Sequence, residues 1–332
     1  MTGVGHLSHA AIEAIRGSKG QSVLLFLTDR CPVGCAHCSV DSRRDSPTIT
    51  DFDLFEQILD WIVAQPAMRL VGISGGEPFV ERRGLERAMA RFADAGLGQV
   101  VFTSGIWAKQ RVAPWISAAL AQCETVYLST DAFHAQAIDD ASFARAARAI
   151  AGAGAWIVVQ ALDHRDNLDR VAALVRTALG VDWESLAEIN RIVPLTNGRG
   201  AGQFSRAAVT AGRDFGGCRL SASPTIRYDG AVSGCCNESV LRGAGPARLR
   251  ARIRTAGELA MAVDAFAADP MLQAVASPGL GLLTVDPRFA DLGERRFASD
   301  CDLCWAMFDR LPVDRRPEPL LEAIAAMGRA DA

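Results

Sequence analysis

Cys31-Pro-Val-Gly-Cys35-Ala-His-Cys38 follows directly on an apolar run at residues 23–27. The spacing is C-x3-C-x2-C, so three thiols share one short loop. Three thiolates can hold three irons of a [4Fe–4S] cluster, which leaves the fourth iron open to chelate a small molecule. The inner C-x2-C is also the half-site of many zinc centres, and on this loop alone zinc stays open. A structural disulfide does not fit, because nothing in the chain points to an oxidising compartment.

A second motif follows. Val71-Gly-Ile-Ser-Gly75-Gly76-Glu77-Pro78 reads as a strand running into two glycines and an acid. Glycines let a backbone approach a ligand closely, and a carboxylate accepts from an amine. The same letters also suit a plain strand-to-loop turn. Taken together and in this order, the two motifs resemble the radical S-adenosylmethionine (radical SAM) superfamily. The resemblance implies that Cys31, Cys35 and Cys38 hold a [4Fe–4S] cluster whose open iron chelates S-adenosylmethionine. Reduction would then cleave that cofactor to a 5′-deoxyadenosyl radical that takes a hydrogen atom from the substrate. Gly75, Gly76, Glu77 and Pro78 match the family's Gly-Gly-Glu-Pro signature at every position, with Glu77 expected to accept from the cofactor's amine.

Composition sets limits. The chain has 332 residues, 49% hydrophobic and 22% charged, enough for one large domain and an appendage. The net charge is −3 with no strong basic patch, so nucleic acid is not an expected partner. Glu13, Arg16 and Lys19 interrupt the N-terminus, so no signal peptide is expected. No uncharged apolar stretch is long enough to suggest a membrane span. A cytoplasmic location is expected, where nine cysteines point to metal ligation rather than disulfides.

Apolar, β-branched runs predict strands over 23–27, 70–73, 99–103, 125–129, 156–160 and 188–193. Helical periodicity separates them. Phe52, Phe55, Ile58, Leu59, Ile62 and Val63 share one face, with Thr50 as expected N-cap and Asp53 three residues on. Leu85, Ala88, Met89 and Phe92 repeat the pattern, as do Ile138, Phe143, Ala146, Ala147 and Ile150. Alternating strands and helices imply an α/β fold with a parallel sheet. The resemblance sharpens this to a partial (β/α)6 TIM-like barrel with its chemistry at the carboxyl ends of the strands. The expected organisation is an N-terminal helix over 1–20, the barrel over 21–200, an auxiliary domain over 201–310 and a C-terminal helix over 311–332.

Polar residues at strand ends are therefore candidates. Thr103-Ser104-Gly105 ends the third strand, and Ser129-Thr-Asp131-Ala-Phe-His134 ends the fourth. By the resemblance, Ser104, Ser129, Asp131 and Gln160 are cofactor contacts. Pro194-Leu195-Thr-Asn-Gly198-Arg199-Gly200 loosely resembles the family's Pro-x-Gly-Arg stretch, which nominates Leu195 beside the adenine; two extra residues intervene. Ser, Thr and Asp also gather at strand ends because they cap the next helix. Asp131, His134 and Arg191 are catalytic candidates, with Asp163 and His164 as weaker ones.

The second half carries Cys218, then Pro224-Thr-Ile-Arg-Tyr-Asp-Gly230 and Cys235, and later Cys301-Asp-Leu-Cys304. Residues 225–228 and 231–233 predict a hairpin around an Asp-Gly turn. This resembles the opening of the SPASM and twitch extensions, which bind auxiliary iron–sulfur clusters. Cys218, Cys235, Cys301 and Cys304 fit the shorter twitch form with one auxiliary [4Fe–4S] cluster, with a four-thiolate zinc site as the other reading. Cys236 stands beside Cys235 as an alternative ligand, and Cys123 is expected in the core.

Function is expected to be oxidative radical SAM chemistry on a ribosomally made peptide, by crosslinking or side-chain oxidation. A small-molecule dehydrogenase or tailoring enzyme acting on a sugar, aminocyclitol or nucleoside is the alternative. A non-catalytic zinc- or cluster-binding scaffold is the reading from another class. A reductant such as flavodoxin or ferredoxin is an expected partner. Cys31 stands near the start, so a leader-peptide-binding domain is expected on a separate protein. Residues 242–300 are expected to pack over the barrel mouth.

Overall fold

The computed structural model describes residues 6–163, 167–312 and 318–330. After α1 (His9–Arg16) the chain alternates β1 (Ser22–Phe26), α2 (Phe52–Val63), β2 (Leu70–Ser74), α3 (Arg82–Asp94), β3 (Gly98–Thr103), α4 (Pro114–Leu120), β4 (Thr125–Thr130), α5 (Asp140–Gly152), β5 (Trp156–Leu162), α6 (Asn167–Leu179) and β6 (Ala187–Ile192). The six strands are parallel neighbours in chain order, as a partial (β/α)6 barrel requires. Each predicted strand is present, with ends moved by one or two residues. The cap of α2 is Asp51 rather than Thr50: its side chain accepts from the Leu54 amide at 2.9 Å. A carboxylate one residue nearer the helix leaves Thr50 outside the first turn.

Strand alternation builds two cores. The outer faces pack on the helices through Phe55, Ile58, Phe92, Phe143 and Ile150. The inner faces present Leu70, Val100, Tyr127 and Val158 to Ile12 of α1, so the first helix lies against the concave side of the sheet. Cys123 is buried in the outer core.

The second half extends the same sheet. After β7 (Thr210–Ala211) come the hairpin strands β8 (Thr225–Arg227) and β9 (Ala231–Ser233), then α7 (Glu238–Leu241) and β10 (Arg250–Arg252). Strand β8 pairs parallel with β1, Leu24 opposite Thr225, so the hairpin is continuous with the barrel and the sheet has nine strands. The turn places Gly230 at φ 85°, where glycine is the least strained residue. At the junction Arg227 grips both oxygens of Asp29 at 3.0 and 2.7 Å, and the Tyr228 hydroxyl donates to Asp29 at 3.1 Å.

The remainder comprises α8 (Ala256–Ala268), α9 (Pro270–Ala276), α10 (Leu280–Leu283), β11 (Arg296–Phe297), α11 (Asp300–Phe308) and α12 (Pro319–Ala330). Helix α8 does not cover the barrel mouth. It packs on α2 and β9 at the flank, with Leu259 and Phe266 buried and Met261 exposed. The mouth is instead lined by Cys236, Glu238 and Leu241. Among the described residues, no single helix is long and apolar enough to cross a membrane.

Helix α12 packs on α9, and a buried ion network lies under the pair. Arg248 is 4% exposed, donates to Asp269 at 2.7 and 3.2 Å, and reaches Glu318 at 3.3 Å. Asp269 also caps α9 through the Met271 amide. Arg248→Met removes the buried guanidinium shared by Asp269 and Glu318, with Glu318 keeping its pair to Arg288, and should cost about 3–5 kcal/mol of unfolding free energy. Urea titration measures this. A loss no larger than that of a surface Arg→Met control would show that the network is dispensable.

Candidate active site

Cys31, Cys35 and Cys38 lie on the loop after β1, all free, and line a cavity of about 420 Å³ at the carboxyl ends of the strands. The loop has almost no regular structure, so its shape is held from outside. Arg199 does most of this. Its guanidinium donates to the Cys35 carbonyl at 2.9 and 2.7 Å, to the Ser42 carbonyl at 3.0 Å and to Asp41 at 2.6 Å. Its backbone amide donates to the Cys38 carbonyl at 3.0 Å. Next to it Gly198 sits at φ 54°, and a Cβ there would stand 2.3 Å from the Ser39 carbonyl. The segment after β6 thus presses directly on the cysteine loop.

The Gly75-Gly76 pair serves the same loop. A Cβ on Gly76 would lie 2.4 Å from the Arg30 carbonyl, and the Glu77 amide donates to that carbonyl at 2.9 Å. The close approach that glycine permits is therefore made by the chain's own backbone, although both glycines also line the cavity. Glu77 does not face the cavity. It is fully buried and accepts from the Thr103 hydroxyl at 2.8 Å and from the Ser104 amide and hydroxyl at 2.9 and 2.6 Å. Burial raises its pKa, and these donors oppose the rise. The glycine turn aims the carboxylate at β3, and Glu77 meets the cavity wall through Thr103 and Ser104, both of which line it. Pro78 is buried at the start of the following turn and also lies off the cavity.

Ser104, Ser129, Asp131, Gln160 and Leu195 all line the cavity, with Ser129 donating to Gln160 at 3.3 Å. Asp131 is saturated. One oxygen accepts from the Phe133 and His134 amides at 2.8 and 2.9 Å. The other meets His134 Nδ1 at 2.8 Å and His37 Nε2 at 3.2 Å. Burial works against the charge, but the two imidazoles hold the Asp131 carboxyl far below the usual carboxylate range. Burial likewise opposes the His134 cation, yet Asp131 and Cys35 raise its pKa to about 10. Asp131 therefore caps a turn and organises two histidines at the cavity wall. The expectations had passed over His37, which stacks on Phe133 with ring centroids 4.6 Å apart. Its only signal was its place between two of the cysteines.

Arg191 is not at the site. Ile192 points into the cavity, so strand parity turns Arg191 outward, where it pairs with Asp163 at 3.0 Å on the exposed side. His164 lies outside the described residues.

A second cavity, of about 230 Å³, is lined by Cys218, Cys235, Cys236, Cys301 and Cys304 against Leu272, Val275 and Trp305. Cys301 and Cys304 each feel the charges of Cys218 and Cys235, whereas Cys236 also feels Arg16 and lines both cavities. Leu195 and Glu238 share that position in the partition. Among the described residues, the neutral side chains of Ser39 and Asn197 donate to Glu238, both at 3.4 Å. Burial pushes the Cys31 and Cys301 thiols up to about 12, a cost that metal coordination reverses by deprotonating them. Three thiols on a clamped loop, with the Ser42 amide donating to Cys38 Sγ at 3.4 Å, fit an iron–sulfur cluster with one open iron. Thiols of Cys218, Cys235, Cys301 and Cys304 lining one apolar pocket fit a fully ligated one.

No family model matches the chain. Among curated proteins, it is 30% identical over 220 residues to the PqqA peptide cyclase of Xanthomonas euvesicatoria pv. vesicatoria (strain 85-10), covering 62% of this chain and 55% of that protein. It is 31% identical over 173 residues to the PqqA peptide cyclase of Methylocella silvestris, covering 48% and 44%. The chain is similar to radical SAM enzymes in its cysteine loop and its glycine turn. It spans about half the length of the curated relatives it matches. The fold of the chain is also that of anSMEcpe, solved with bound AdoMet and Cp18Cys peptide, at 12% identity and a TM-score of 0.54 over 92% of this chain and 99% of that one.

Arg199→Ala removes the guanidinium bonds to the cysteine loop. Iron in anaerobically reconstituted protein should fall by up to about half, because only the three-cysteine site loses its support. Arg199→Lys keeps the charge without the planar fork and should fall between. Unchanged iron in Arg199→Ala would mean that the cysteines hold their own loop.

Proposed function

We propose that this chain cleaves S-adenosylmethionine and oxidatively modifies a peptide, by crosslinking or side-chain oxidation, in the cytoplasm. The observation that carries the reading is convergence: the cysteine triad, the glycine pair and polar residues from the ends of β3, β4 and β5 all line one cavity. The peptide substrate is favoured by the curated relatives, which are named for cyclising one, and by the peptide held in the anSMEcpe structure. When bound, the cofactors would supply a carbon-centred hydrogen abstractor in the larger cavity and, from a fully ligated auxiliary [4Fe–4S] cluster, an electron acceptor in the smaller.

The protein's part is position and exclusion of water. Cys31, Cys35 and Cys38 would hold the first cluster, and Cys218, Cys235, Cys301 and Cys304 the second. Ser104, Ser129 and Gln160 offer hydrogen bonds to the sugar and amino-acid ends of S-adenosylmethionine, and Leu195 offers an apolar wall. Asp131 keeps His37 and His134 in place at the cavity wall. Cys236, Glu238 and Leu241 close the mouth from the extension side, which places the substrate beside the partition between the two cavities.

Two tests bear on this. Glu77→Ala and Ser104→Ala should each weaken S-adenosylmethionine binding, and the double variant should be no weaker than the worse single one, because Glu77 acts through Ser104. Equilibrium binding to reconstituted protein measures this; additive losses would separate the two residues. For the reaction, reduced protein should release 5′-deoxyadenosine and yield a peptide two hydrogens lighter than the substrate. Cys301→Ala with Cys304→Ala should keep deoxyadenosine release and lose the lighter product. A wild-type product of unchanged mass would point to epimerisation or rearrangement and end the oxidative reading.

A further inference from the structure

The molecule has a groove, of about 740 Å³, that the chemistry above does not use. It runs between the cysteine loop and the end of the hairpin sheet. Arg43, Arg227, Arg242, Arg250 and Arg252 line it. Three carboxylates line it beside the five arginines: Asp29 serves Arg227, Asp229 serves both Arg227 and Arg252, and Asp41 serves Arg43, Arg199 and Arg242. Among the described residues, the Arg250 guanidinium meets the Ala244 and Gly245 carbonyls, at 2.6 and 2.7 Å, and no carboxylate. On a chain of net charge −3, this groove is a local excess of positive charge.

Its position gives the excess a use. Ser42 lines the cavity that contains the three cysteines, while its neighbours Asp41 and Arg43 line the groove. The Cys31 amide donates to the Arg43 carbonyl at 2.9 Å. One thickness of backbone therefore separates the groove from the cysteine triad. Reductive cleavage needs an electron from outside, and the short route to the triad is through this wall.

We infer that the arginine groove is the docking surface for an acidic redox protein that delivers this electron. The inference rests on the proposed function, which supplies the need for a reductant. One electron leaves the donor's reduced cofactor and one arrives at the three-cysteine site; no bond forms or breaks on docking. A patch of this kind steers an oppositely charged partner and loses its effect as salt screens it.

The test uses reconstituted enzyme and a purified flavodoxin, an acidic flavoprotein. Arg250→Gln with Arg252→Gln should raise the Kd for flavodoxin about tenfold at low salt, and the difference should vanish at high salt. Arg252→Gln alone, at a largely exposed side chain bonded to Asp229, should give a smaller shift in the same direction. Flavodoxin-driven release of 5′-deoxyadenosine should slow in step, while dithionite-driven release stays at the wild-type rate and reports an intact fold. Equal Kd values for variant and wild type would overturn the docking surface. So would a pentaglutamate peptide that binds as tightly as flavodoxin, since the groove would then be a peptide site. Absence of dithionite-driven release from wild type would instead strike the proposed function, leaving the Kd comparison to judge the groove.

Discussion

One guanidinium against a run of backbone carbonyls is the contact on which the site depends. The loop from Cys31 to Ser42 carries the three clustered cysteines but has little regular structure of its own. Arg199 supplies donors to the carbonyls of Cys35 and Ser42 and to the Asp41 carboxylate. Its fork geometry allows several acceptors to be met at once without distortion, which a point charge cannot do. Gly198 and Gly76 make the approach possible from two sides by leaving no Cβ in the way. A loop held this way can keep three thiols converged without a ligand to gather them.

The extension acts on the same loop from its root. Arg227 and Tyr228, both from the hairpin, meet Asp29, two residues before the first cysteine. The hairpin also contributes a sheet neighbour to β1. The two cavities share Leu195, Cys236 and Glu238, so the partition between them is built partly from each half. A change in the smaller cavity therefore has a short mechanical route to the larger one.

Much of this was legible in the chain. The six strands, the intervening helices and the hairpin followed from periodicity and an Asp-Gly turn, because side-chain burial sets both. The cavity-lining residues Ser104, Ser129, Asp131 and Gln160 followed from the rule that barrels expose strand ends. What could not be read were contacts whose partner is backbone. Arg199 has acceptors with no sequence signature, and Glu77 turns inward because of donors on another strand. Arg191 was misplaced by parity: a shift of one position along β6 exchanges cavity for solvent. The role of residues 236–241 at the mouth was hidden because nothing in their letters says which surface α8 chooses.

The pairing of β1 with β8 also sets an order in time. Asp29 and Arg227 are 198 residues apart in the chain, yet they anchor the root of the cysteine loop together. Contacts of such separation form late, after most of the loop-closure entropy has been overcome. As the polypeptide leaves the ribosome, β1 must wait with one edge unpaired until the hairpin emerges. The cysteine loop thus gains its final anchor only when most of the chain has been made, and its maturation follows synthesis of the extension rather than of the barrel.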